Sequence, residues 1–174
     1  AWTDNPERLV AAHVPDNVRF ATKPALALTM IERAIASNVP FSWVAADSVY
    51  GVGDIEMALK RAAKGYVLGV SANHPFRSWD KPLTVAGTAK DIAEALPEDS
   101  WQRLSAGDGT KGARLHDWVY LDLADLDIGD FDATFPGIWT RGLLIRRNIA
   151  DGDLAFFSTW CPTGTSIEML VAVE

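Results

Sequence analysis

Apolar positions in the first third of the chain recur at helical spacing and then give way to unbroken runs. In KPALALTMIERAIAS (23–37), Leu28, Ile31 and Ile35 fall on one face at the three- and four-residue steps of an α-helix. Thr22 stands where an N-cap belongs, Pro24 lies in the first turn, and Asn38 and Pro40 close the segment. FSWVAA (41–46) is short and apolar, the pattern of a buried strand. GVGDIEMALKRAAKG (51–65) returns to helical spacing through Ile55, Ala58, Leu59 and Ala62. Asp54 is its expected cap, Lys60, Arg61 and Lys64 suit the negative end of the helix dipole, and Gly65 is its expected stop. YVLGVSA (66–72) reads as a second buried strand.

Helix–strand–helix–strand with continuous apolar strands predicts an α/β fold, a mainly parallel sheet covered by helices. It also puts Asp47 at the carboxyl end of a strand, the edge where open α/β sheets gather ligands and reactions.

The second half changes character. TAKDIAEAL (88–96) predicts a short helix with Thr88 and Asp91 as a capping-box pair. WQRLSAGDGTKGARLHDW (101–118) is rich in glycine and charge, a loop or hairpin. DWVYLDL, GIWTRGLLIRRNI and DLAFFSTW read as strands, the last two joined by a turn at Ala150-Asp151-Gly152. TSIEMLVAVE opens a further helix through Thr165 and Glu168. Residues 72–162 thus read as a β-rich insertion, and both ends of the chain read as cut, which predicts exposed strand edges and apolar surface.

A length of 174 residues suits one domain, or one domain with an insertion, and 48% hydrophobic with 22% charged residues is ordinary for a globular protein. No stretch approaches the ~20 apolar residues of a membrane helix, and AWTDNPERLV lacks the regions of a signal peptide. A single cysteine, Cys161, excludes an internal disulfide, fits a cytoplasmic location and reads as a packing residue. Net charge is −7, and residues 89–135, with 11 acids against 4 bases, account for all of it. That argues against indiscriminate nucleic-acid binding but leaves room for a local basic groove.

Four stretches carry candidate chemistry. Asp47 is either a cap or polar edge residue, or a ligand; one carboxylate holds Mg²⁺ poorly and would need partners from elsewhere. Asp125, Asp127, Asp130 and Asp132 surround Gly129, but their spacing departs from a calcium loop and favours a solvated acidic loop. SAGDGTKGAR (105–114) lacks the order of a nucleotide-binding loop. As a hairpin it either offers Arg103, Lys111 and Arg114 to a phosphate backbone, with Trp101 as a stacking platform, or is an exposed turn beside a core tryptophan. Arg141, Arg146 and Arg147 flank GLLI, and alternation sends Arg146 and Arg147 to opposite faces. His13, His74 and His116 lack metal-ligand spacing, and no G-x-S-x-G is present.

TKPALALTMIERAIASNVPFSWVAADSVYG, followed by a helix and YVLGVSANHP, resembles the DDE-superfamily transposases of bacterial insertion sequences. The flanks PERLVAAHVPDNVRFATK, WQRLSAGDGTKGARLHDW and GLLIRRNIADGDLAFFSTWCPTGTSIEMLVAVE agree in order, so the likeness spans nearly the whole chain. It implies a ribonuclease-H-like mixed sheet with flanking helices: 1–71 as part of the catalytic core, 72–162 as a β-rich insertion, 163–174 as the return to the core. It implies catalysis by Asp, Asp and Glu holding two Mg²⁺ (or Mn²⁺) ions that clamp the attacking and leaving oxygens of a phosphoryl displacement on transposon-end DNA. A homodimer is the implied assembly. Only Asp47 matches a member of that set, the second aspartate and a metal ligand. The first aspartate is expected on a strand before residue 1 and the glutamate in a Trp-x-Ile-Glu-like helix, a setting that Glu168 and Glu174 lack. The expected function is part of a transposase, inactive alone; the alternative is a non-catalytic relic that binds DNA or protein.

Overall fold

The structure, a computed structural model, describes residues 4–77, 86–110, 112–123 and 139–174. Helices α1 (Pro6–Ala11) and α2 (Lys23–Ala36) come first, followed by β1 (Trp43–Ala46), α3 (Gly53–Arg61) and β2 (Gly65–Val70). A small ribbon, β3 (Pro75–Arg77) and β4 (Ala86–Thr88), leads into α4 (Ala89–Glu94). Four strands follow, β5 (Gln102–Gly109), β6 (Gly112–Asp122), β7 (Trp139–Arg147) and β8 (Leu154–Pro162), and then α5 (Ile167–Val173).

Six strands form one mixed sheet in the order β1-β2-β8-β7-β6-β5. β1 and β2 are parallel, joined through α3, and every other pairing is antiparallel. The expected mixed sheet with flanking helices is therefore present, but the mainly parallel sheet expected from the helix–strand order is not: one of the five pairings is parallel, because strands joined by tight turns, as β7 and β8 are, run antiparallel. The strands of the 72–162 stretch extend the sheet begun by β1 and β2, because β8 pairs directly with β2 from Tyr66↔Trp160 to Val70↔Phe156.

Alternation along the strands assigns each side chain to one of two layers. Tyr66 and Leu68 of β2 and Trp160 of β8 face α2 and α3, meeting Ile55 and Leu59. Further along that face, Val70, Phe156, Leu143 and Ile145 pack with Ile92 and Ala93 of α4 and with Phe76. On the opposite face Val67, Phe157, Leu144, Trp118 and Cys161 are covered by Leu170 and Val171 of α5. Arg146 and Arg147 fall on opposite faces, as alternation requires.

Local signals hold where they depend on near neighbours. Thr22 Oγ1 accepts from Ala25 N at 3.3 Å, and Thr88 and Asp91 make the reciprocal capping box. Four expectations are corrected. β1 is not buried: it pairs only with β2 among the described residues, and Ala45 is exposed because a strand at the sheet edge lacks a second neighbour. Asp54 does not cap α3; Val52 holds that position, and Asp54 sits inside the first turn, where its charge meets the helix dipole. Gly65 does not end α3; Ala63 takes the left-handed turn at φ 50°, and Gly65 already belongs to β2. At α5 the cap is Ser166, whose Oγ accepts from Met169 N, while Thr165 donates to Pro162 O at 2.6 Å.

Candidate active site at the carboxyl end of β1

Asp47 follows directly on β1, so the strand sets its position and the start of a turn sets its direction. Its carbonyl accepts from Tyr50 N at 2.8 Å, and Val52 N donates to Tyr50 O at 2.8 Å, folding 47–52 back toward the sheet. The neighbouring strand leaves room for that fold. A Cβ on Gly69 would lie 2.6 Å from Ser48 N, and one on Gly51 would lie 2.0 Å from Gly69 O. Both contacts are to backbone, which has little freedom to give way. Two glycines are thus required by space, not by dihedral angle.

The Asp47 side chain is exposed. Oδ1 accepts from Ser48 N at 2.5 Å and from Ser48 Oγ at 3.1 Å, and Oδ2 accepts no hydrogen bond among the described residues. Asp47 and Ser48 line a cavity of about 580 Å³ together with apolar side chains, Val67 and Phe157 among them. Arg146 and Glu174 line the same cavity. The nonlocal pairing of β2 with β8, and α5 lying over the same face, bring these two to the cavity.

Arg146 and Glu174 form an ion pair, Nη1 to Oε1, with the guanidinium also 5.7 Å from the Phe157 ring and 6.0 Å from that of Trp118. The second carboxylate oxygen, Oε2, is buried without a hydrogen bond among the described residues. His116 lies within the field of this pair; burial holds its imidazole below the ordinary value, and Arg146 pushes the same way. The sequence alone offers no reason to place Arg146 or Glu174 in one cavity with Asp47.

The hairpin residues are only partly brought together. β5 and β6 do form a hairpin, with Arg103 opposite Asp117. Arg103 Nε donates to Asp117 at 2.9 Å, which lowers that carboxylate below its usual range. Arg147 shares Asp117, binds Glu98 at 2.5 Å and lies over the Trp101 ring at 4.3 Å, covering one of its faces. Trp101 and Arg103 therefore belong to one charged network. Arg114, three residues before Asp117 on β6, points to the other face by alternation, and its guanidinium binds Ala106 O. Lys111 and the acidic run Asp125, Asp127, Asp130 and Asp132 lie outside the described residues.

Cys161 is buried, and burial raises its thiol above the ordinary value. Tyr120 contacts its sulfur at 3.7 Å and is itself raised, chiefly by burial. Such a thiol forms no thiolate near neutral pH and is not a nucleophile.

Asp47 suits a hard divalent cation in kind: an exposed carboxylate, one oxygen unbonded, at a strand end held by backbone contacts. It does not suffice in number. Among the described residues no three His, Cys, Asp or Glu side chains gather closely enough to hold a metal ion. No helix among the described residues is long and apolar enough to cross a membrane.

A family model described as DDE superfamily endonuclease matches residues 1–113, which include β1, Asp47 and β2. No curated protein matches the chain.

Proposed function

Since this chain belongs to the DDE superfamily of endonucleases, we propose that it carries one part of the catalytic centre of an insertion-sequence transposase, with Asp47 as a metal-binding carboxylate. Its ribonuclease-H-like fold is that of the superfamily, whose members act on DNA and depend on divalent metal. The observation that carries the reading is the seat of Asp47: an exposed carboxylate at the carboxyl end of a strand, opening into a cavity, with its turn packed onto Gly69.

Bound Mg²⁺ or Mn²⁺ would supply charge stabilisation at the attacking and leaving oxygens of a phosphodiester. The contribution of Asp47 is position and negative charge. Ser48 fixes the carboxylate rotamer through Oδ1 and leaves Oδ2 for the cation. The phosphodiester would enter the cavity from solvent, with the apolar wall of Val67 and Phe157 limiting water on one side. Of the hairpin residues, Arg103 offers an accessible DNA contact, its side chain being 58% exposed. Residues 1–71 would form the catalytic part and 72–162 the β-rich insertion.

One carboxylate does not make the two-metal centre of this chemistry, and no other joins Asp47 in a metal-holding cluster among the described residues, so the chain alone is expected to leave DNA uncut. Supercoiled plasmid with the chain and Mg²⁺ or Mn²⁺ stays intact. Nicking is expected when the chain is joined to segments bearing the other aspartate and the glutamate, and Asp47→Asn abolishes it there while leaving the fold intact. Nicking that survives Asp47→Asn would remove Asp47 from the site.

A further inference from the structure

The cavity beside Asp47 holds one guanidinium, Arg146, and that guanidinium is occupied by a carboxylate from another element. Carboxylate and phosphate oxygens fit the same fork of N–H donors, so a side chain that binds one binds the other. Glu174 is an imperfect partner. Only Oε1 meets Arg146, and Oε2 is buried with no hydrogen bond among the described residues, an arrangement that costs desolvation without full return. The Arg146 side chain keeps 32% of its surface accessible against 12% for Glu174. The flanking Phe157 and Trp118 rings hold the guanidinium near the cavity whether or not Glu174 is bound.

We propose that Arg146 is a phosphate anchor of the Asp47 cavity and that Glu174 occupies it until a phosphodiester of DNA takes its place. The proposal rests on the reading of the chain as part of a DNA endonuclease, but it requires no metal. With Asp47, Glu174 and Arg146 the cavity carries two carboxylates against one guanidinium, so the free chain disfavours a phosphodiester there. Withdrawing Glu174 frees the fork and balances the charge.

The test is binding of a short DNA duplex to the chain in EDTA at low salt, followed by fluorescence anisotropy. Glu174→Gln is expected to tighten binding on the order of tenfold. It is also expected to steepen the dependence of log K on log salt by about one unit, the mark of one added phosphate contact. In an Arg146→Gln background the Glu174 substitution should change nothing. An equal gain in that background would show a general field effect and overturn the proposal, as would no gain in the single variant. A second measurement uses the unaltered chain: inorganic phosphate titrated against the Arg146 Nε–H signal in nitrogen-15 NMR. Movement of that signal supports phosphate capture, and an unmoved signal at high millimolar phosphate overturns it. Because no divalent cation is present, either failure leaves the assignment of Asp47 intact. Loss of cleavage control by Asp47 would, in turn, leave this result standing.

Discussion

Gly69 faces Ser48 so closely that a single added carbon would lie 2.6 Å from the Ser48 nitrogen. The turn that carries Asp47 is therefore seated on backbone, and the strand beside it is bare at the one position where a side chain would lift it. Gly69→Ala must move β1, β2 or the turn. Overpacking of this kind costs about 1–3 kcal/mol. Urea unfolding should show the midpoint lowered with an unchanged slope, and a change below about 0.5 kcal/mol, the range of indifferent surface substitutions, would mean the contact yields freely.

His116 should make the chain sensitive to mild acid. Its imidazole is held below the ordinary value of 6.5, first by burial and then by Arg146, with a smaller push from Arg114; Glu174 and Asp117 oppose them. A depressed folded value means that the folded state resists protonation. The stability is present above the unfolded value of 6.5 and is lost as pH falls through the lower folded value. Melting temperature should therefore decline between neutrality and pH ~5, and His116→Gln should flatten that decline. A profile equally steep in the variant would assign the sensitivity elsewhere. The paired carboxylates Asp91, Glu98 and Asp117, all lowered by their hydrogen bonds, contribute only in stronger acid.

Cys161 should be silent toward thiol reagents until the chain unfolds. It is fully buried between α5 and the sheet, and its raised thiol supplies no thiolate near neutral pH. Labelling with an aromatic disulfide should follow the unfolding transition measured by circular dichroism. Rapid labelling of the folded chain would show that α5 opens from the sheet, and with it Glu174 from Arg146.

Exposed apolar side chains concentrate before β1: Phe20 and Met30 are 73% and 69% accessible, and Leu26 lies one turn from Met30 on α2. β1 likewise has an open edge among the described residues.

What the sequence determined by itself is local. Thr22 and Thr88 cap their helices because the donors they satisfy lie three residues away. β7 and β8 form a hairpin through Gly152, at φ 77°, because a tight turn needs a residue that tolerates that angle. The order of segments along the chain, with the phrase around Asp47 among them, also resembled the family that the match over residues 1–113 shows, and the helix–strand order put the aspartate at a strand's carboxyl end. Tertiary structure decided the rest. Whether FSWVAA is buried depends on how many strands flank it, which periodicity within the segment does not encode. Asp54 looked like a cap because aspartate caps many helices, yet the path of the turn from Asp47 to Val52 placed it two residues inside. The sharing of one cavity by Asp47, Arg146 and Glu174 required β2 to pair with β8 and α5 to fold across the same face. Those residues lie 99 and 127 positions from Asp47 in the chain. Nothing in their neighbours' spacing records that shared cavity; the register of the sheet does.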